Sequence, residues 1–329
     1  MSAGSMKSWW VGGWGADQDG EALGITLLTS RPDGSLGDPT LAVATESPSM
    51  LAVDGDALLV ASEGRGTVDV FVPVPGGLTL ASSAPAGGRS TCSIARWGSL
   101  VLAANYTDGT IGVIEDGELI QVLEGQGSGP RPQQRSAHAH AVFPVDDSAM
   151  LSLDLGSDQI HVHGREGSRV VRRASVSVPP GSGPRDIIRH PSGALYVLGE
   201  LGGELFVFDW IDGMPVAASS APVPGAEPGD HGSAIAFGEG GRFVYTALRG
   251  SNRIAVLEAS EDGRELTAVG WVSCAGDWPR HLVVDGDLLH VANQLSHEVA
   301  TFRLGGDGIP VLVAPPVRVL SPTYLVPVP

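Results

Sequence analysis

The sequence predicts an all-β chain folded as a seven-bladed β-propeller. Three observations carry that prediction. Gly and Pro supply 46 and 24 of 329 residues, about a fifth against a usual share of roughly 12%, and that density interrupts helices repeatedly. Hydrophobic residues make up 42% of the chain, too many for disorder. A unit of roughly 46 residues recurs seven times, and a period of about 40–50 with several short strands per unit marks a propeller.

The unit is an apolar strand, a turn, a second apolar strand, a short Gly/Asp/Ser link and a third strand. In chain order it reads MLAVDGDALLVASEGRGTVDVF at 50–71 and SIARWGSLVLAANYTDGTIGVI at 93–114. It returns as AVFPVDDSAMLSLDLGSDQIHVH at 141–163 and DIIRHPSGALYVLGELGGELFVF at 186–208. The last full copies are AIAFGEGGRFVYTALRGSNRIAVL at 234–257 and HLVVDGDLLHVANQLSHEVATF at 281–302. A weaker copy begins WWVGGWG and continues with GITLL at 24–28. Period-two alternation, as in TVDVF or RIAVL, selects strand over helix. The segment SPTYLVPVP at 321–329 resembles SPSMLAV at 47–53. It reads as a first strand whose blade is completed by the N-terminal strands, which closes the ring without an open edge.

Residues 1–7 read as a tail, and 8–329 as one propeller domain. The Pro/Gly-rich stretches at 73–77, 125–132, 179–184 and 222–229 read as links between blades.

The net charge of −17 disfavours nucleic acid and anionic membranes as partners. No apolar run approaches membrane-spanning length, and residues 1–15 lack a signal-type apolar core. The expected compartment is the cytoplasm, and the expected state a monomer or weak homo-oligomer. Cys92 and Cys274 are read as reduced thiols, because their spacing fits no metal motif or disulfide framework. Only Lys7 is a lysine; the other 19 cations are arginines, planar forks suited to carboxylate or phosphate.

Topology then locates a site. The start of each first strand and the end of each second strand lie on one face, around the central channel. The first-strand starts carry Ser49, Cys92, His138, His140, Arg185, Ser233, Arg280 and His281. The second-strand ends carry Trp14, Glu63, Tyr106, Leu155, Glu200, Arg249 and Gln294. A repeated core position should read Val, Ile, Leu or Ala; Arg, Glu and His are seldom buried unless paired. The alternatives are a wet channel whose charges solvate one another, and a substrate site. His161 and His163, on an outer strand, are expected at the surface. Asn105 and Tyr106 serve either a turn or a ligand, and Arg280 with His281 either a substrate or blade closure.

These residues resemble the seven-bladed propeller family of bacterial 6-phosphogluconolactonases and fungal 3-carboxy-cis,cis-muconate cyclases. The resemblance rests on QQRSAHAHAV at 133–142, GPRDIIRHPSG at 183–193, LAANYTDGTIGV at 102–113, WPRHLVV at 278–284 and VANQ at 291–294. It covers about 9–326. It implies that His140, Arg185, Glu200 and Arg249 act on the substrate, while their channel position makes His138, Arg280, His281, Tyr106, Gln294 and Glu63 the expected substrate-binding residues. Asp186 stands where the family motif has His, and would weaken a phosphate site if it faced the channel.

The resemblance implies two reactions, each needing anion recognition and one proton carrier. In lactone hydrolysis, Glu200 or His140 takes a proton from water while Arg185 or Arg249 stabilises the oxyanion. In cycloisomerisation, two arginines clamp carboxylates and Glu200 or His140 delivers the proton. Hydrolysis of a small anionic sugar lactone is the leading expectation, a muconate-type cycloisomerase the second, and a non-catalytic binding ring the third. The chain lacks a G-x-S-x-G elbow, a P-loop and a dinucleotide fingerprint. No cofactor is expected, and Glu63 and Glu200 among basic neighbours serve a hard cation poorly.

Overall fold

The structure, a computed structural model, describes residues 7–167 and 169–329. Residues 1–6 of the expected tail lie outside it, while the Lys7 ammonium pairs with Asp285 at 2.5 Å. The strands form seven separate antiparallel sheets. Six blades run in chain order over 48–85, 91–123, 139–177, 184–222, 231–273 and 279–312. In the closing blade, Pro322–Pro327 is innermost, followed by Ser8–Gly13, Gly24–Thr29 and Thr40–Ala44. Trp10 pairs with Val326 and Val11 with Leu325 across the seam. The first strands touch their neighbours all the way round, closing the ring.

Alternation explains the core. Each blade sends apolar side chains to both neighbours, giving seven apolar clusters, one between each adjacent pair. In the closing blade Trp9 packs toward the sixth blade and its neighbour Trp10 toward the first. The seam is tight at Gly12, where a Cβ would stand 2.0 Å from the Pro48 carbonyl oxygen.

Two expectations are corrected. The stretch at 73–77 is the hairpin between Thr67–Val74 and Gly77–Pro85, inside the first blade. The link to the second blade is 86–90, and the other three stretches do join blades. His161 and His163 are buried, because the fourth strand Arg169–Ser177 and the neighbouring blade cover them. Each ring bonds a serine at 2.8 Å, Ser175 and Ser152 respectively. Burial holds His163 down at about 3.

Candidate active site

The first strands share a backbone device. Each carries a register shift near its start, at Pro48/Met50, Thr91/Ser93, Ala139/Ala141, Pro184/Asp186, Gly232/Ile235 and Pro279/His281. The closing blade has its shift at Gly12/Gly13, opposite Tyr324 and Pro322. A bulge leaves a residue out of the ladder and re-aims its side chain. The residues so released are Ser49, Cys92, His140, Arg185, Ser233, Arg280 and Thr323, and all seven line one cavity of about 190 Å³ on the propeller axis.

The second-strand ends meet this ring through a repeated hydrogen bond. The backbone N–H groups of Trp14, Glu63, Tyr106, Leu155, Glu200 and Gln294 donate to the carbonyls of Ser321, Ser47, Ser90, His138, Gly183 and Trp278. Arg249 holds the same place opposite His231. The sequence alignment of these seven positions is therefore structural.

The charged side chains fall into two groups. In the first, Glu200 Oε2 accepts from Arg185 Nη1 at 2.5 Å and forms an ion pair with Arg249 Nη2 at 2.9 Å. Arg185 Nη1 also lies 2.6 Å from His140 Nε2, and its Nε donates to the Ser233 carbonyl at 2.9 Å. Arg249 is anchored on the Gly232 carbonyl at 3.1 Å and packs over Trp278. Burial alone would raise the Glu200 carboxyl, but Arg249 and Arg185 hold it well below the usual carboxylate range. Burial, then Arg185, pushes His140 well below the ordinary imidazole value, so it is neutral. Burial lowers Arg249 to about 9, still a cation at neutral pH.

In the second group Glu63 Oε2 accepts from Trp14 Nε1 at 2.7 Å. Arg280 stacks on the Trp14 ring, its guanidinium carbon 4.1 Å from the centroid. Its contacts with acceptors are longer: 3.4 Å to Gln294 Oε1 and 3.9 Å to Glu63 Oε2. Across both groups three guanidinium groups meet two carboxylates, in a chain of net charge −17.

The remaining expected residues divide. Tyr106 stacks on His138 at 4.5 Å and meets His140 edge-on at 5.9 Å. His138 Nδ1 donates to the Tyr106 carbonyl. Asn105 is wholly buried and braces its turn through Thr91, Ala86 and Thr110. His281 lines the cavity beyond the bulge, stacks on Tyr324 at 3.7 Å and accepts from Leu325 N–H. Burial holds it at about 3. Asp186 plays a matching part: it lines the channel, and its two oxygens accept from Ile187 and Ile235 N–H. Ser93 does the same for Val142. The residue after the bulge thus ties one blade to the next in three places. Burial raises Asp186 to about 6. Cys92 and Cys274 are free thiols, both raised to about 12 by burial. Among the described residues no group of three or more His, Cys, Asp or Glu is placed to hold a metal ion.

Two residues of the mouth escaped sequence reading. His231 Nδ1 lies 3.1 Å from Glu200 Oε1. Trp278 adopts a left-handed φ of 62° beneath Arg249, a strained choice for a bulky residue. The signal was available. Aligning the triplets Ser47-Pro48-Ser49, Gly183-Pro184-Arg185 and Trp278-Pro279-Arg280 with His231-Gly232-Ser233 puts both on the ring, two residues before each bulge.

A closed seven-bladed ring with clustered arginines at the mouth of its channel defines a propeller with a cationic centre. The family model "Lactonase, 7-bladed beta-propeller" matches residues 9–325. A 6-phosphogluconolactonase of Bacillus subtilis is 32% identical over 274 residues, covering 76% of this chain and 78% of that protein. The structure of a Pseudomonas aeruginosa periplasmic gluconolactonase superposes with a TM-score of 0.91 at 27% identity, covering 99% of each chain. A crystal structure of a putative 6-phosphogluconolactonase from Bacteroides fragilis shares the fold, with a TM-score of 0.91 at 24% identity over 100% of this chain and 99% of that one. The chain belongs to the seven-bladed β-propeller lactonase family. Those lactonase relatives place it among the hydrolases; the cycloisomerase alternative gains no support from them.

Proposed function

We propose that this protein hydrolyses a small anionic sugar lactone at the mouth of its central channel, as the names of its relatives suggest. The observation that carries the reading is the local surplus of arginine in an acidic chain. Arg185, Arg249 and Arg280 share Glu200 and Glu63, so one guanidinium charge is left for a substrate. Arg280, loosely held against the Trp14 ring, recognises the anionic substituent. Arg185 and Arg249, fixed by Glu200, point their remaining N–H groups at the lactone carbonyl. Preorganised donors of this kind contribute about 10²–10³-fold each in a water-poor site. The His140 ring accepts from Arg185 and steadies it.

The test is a turnover screen by pH-stat with 6-phosphogluconolactone, unphosphorylated aldonolactones and carboxymuconate. The expected outcome is acid release from the lactones, with a lower KM for an anionic lactone than for a neutral one. Consumption of carboxymuconate with no lactone opened, or no turnover of any, overturns the reading. The proposed compartment is the cytoplasm, which the two free thiols fit. Among the described residues no helix is long and apolar enough to cross a membrane.

A further inference from the structure

We propose that His231 is the general base of the hydrolysis, taking the proton of the attacking water on Nε2. The inference rests on the lactonase reading and names a proton carrier that the family resemblance does not.

The argument runs through the lone pairs. Glu200 has both oxygens engaged: Oε2 by Arg185 and Arg249, Oε1 by His231. A carboxylate so placed is a poor proton acceptor. His140 is engaged as well. An arginine only donates, so His140 Nε2 must accept from Arg185 Nη1 and its proton sits on Nδ1. No lone pair of that ring is left for water. His138 donates Nδ1–H to a backbone carbonyl, and among the described residues no carboxylate pairs with its ring, since Asp154 engages its backbone N–H instead.

His231 differs on each count. The ionised Glu200 oxygen at 3.1 Å fixes the proton on Nδ1 and leaves Nε2 as an acceptor. The side chain is 27% exposed, so water reaches it. Its Nε2 makes no hydrogen bond within the described residues. A base oriented by a buried carboxylate that also stabilises the resulting imidazolium is the arrangement of catalytic triads. Here one carboxylate does double duty. It holds the base on Oε1 and both cations on Oε2, so base and oxyanion donors stand at a fixed separation on either side of it.

The step balances without a co-reactant. Water oxygen bonds to the lactone carbonyl carbon as its proton passes to His231 Nε2, and the carbonyl π pair moves onto oxygen beneath Arg185 and Arg249. The pair then returns, the ring C–O bond breaks toward the ring oxygen, and the His231 proton is delivered to that oxygen. The product is the open hydroxy acid.

The experiment compares His231→Ala, His231→Gln and His138→Ala with the wild type in lactone turnover. General base catalysis is worth about 10²–10⁴-fold. Both His231 variants should lose about 10²-fold or more in kcat with KM within roughly threefold. Added imidazole should restore part of the rate to the alanine variant. Glutamine keeps the hydrogen bond to Glu200, so a purely structural role would be rescued by it and a base would not. A glutamine variant within about threefold of wild-type kcat overturns the assignment, as does imidazole-rescuable loss in His138→Ala alone. A wild type that opens no lactone instead removes the lactonase reading on which the role depends.

Discussion

The two arginine–carboxylate groups at the channel mouth use the same chemistry with different tightness. Around Glu200 the partners stand at 2.5, 2.9 and 3.1 Å. Around Glu63 the arginine stands off at 3.9 Å while the tryptophan N–H takes the carboxylate at 2.7 Å. The Glu200 group is closed: its charges answer one another, and their geometry is set before a substrate arrives. The Glu63 group is open: its arginine rests on an aromatic face, with attraction left for an incoming anion. Closed charges position reacting atoms, and open charges capture ligands.

Three substitutions would break or sharpen that contrast. The largest effect is expected of Glu200→Gln. It leaves Arg185 and Arg249 as like charges in a buried site, and breaking a buried pair costs about 3 kcal/mol or more. Turnover should fall by at least about 10²-fold and thermal stability should drop with it. A variant that keeps both its melting temperature and its kcat would show that the cluster is not closed. Arg280→Gln should act on binding instead. KM for an anionic lactone should rise about 10- to 100-fold with kcat nearly constant, the pattern of lost uniform binding. Glu63 retains its Trp14 hydrogen bond, so stability should change by about 1 kcal/mol or less. Steady-state kinetics with charged and neutral lactones checks this, since the neutral substrate should be little affected. The third effect, one of pH, belongs to Asp186→Asn, outside both groups. Burial raises the Asp186 carboxyl to about 6 in the folded protein, against about 3.9 unfolded. The folded state therefore binds the extra proton between those values, and wild-type stability falls as pH rises through that window. The variant lacks that term. Its stability relative to wild type should improve by roughly 1–3 kcal/mol between pH 4 and pH 7, read from denaturant unfolding at each pH.

The sequence made the ring legible because the backbone repeats. Glu63, Tyr106, Glu200 and Gln294 align by spacing, and the same hydrogen bond recurs behind each of them. The bulge was not legible. It is a backbone event, and Ser49, Cys92, His140, Arg185 and Thr323 share no side-chain property that would mark it. His231 and Trp278 are hard to see in the sequence because they sit two residues before the bulge, where, His138 apart, the equivalent positions hold Ser47, Ser90, Gly183 and Ser321, small residues that look like turn. The stretch at 73–77 looks like a link in the sequence because a hairpin and a link draw on the same Pro and Gly chemistry. His161 and His163 look like surface residues in the sequence because the fourth strand that buries them, exposed along much of its length, carries little apolar signal.

The seam has a consequence for synthesis. The strand Pro322–Pro327 supplies Thr323 and Tyr324 to the channel wall and pairs with Ser8–Gly13, made about 300 residues earlier. At roughly 5–20 residues per second the first-made strand waits about 15–60 s on the ribosome for its partner. Six blades can assemble meanwhile, but the channel wall stays incomplete until the last of these strands emerges. A polypeptide released early would lack both the closing strand and the full ring of bulges. The Ser8–Gly13 strand of its closing blade would be an open edge, so a complete channel wall reports that the two ends of the ring have met.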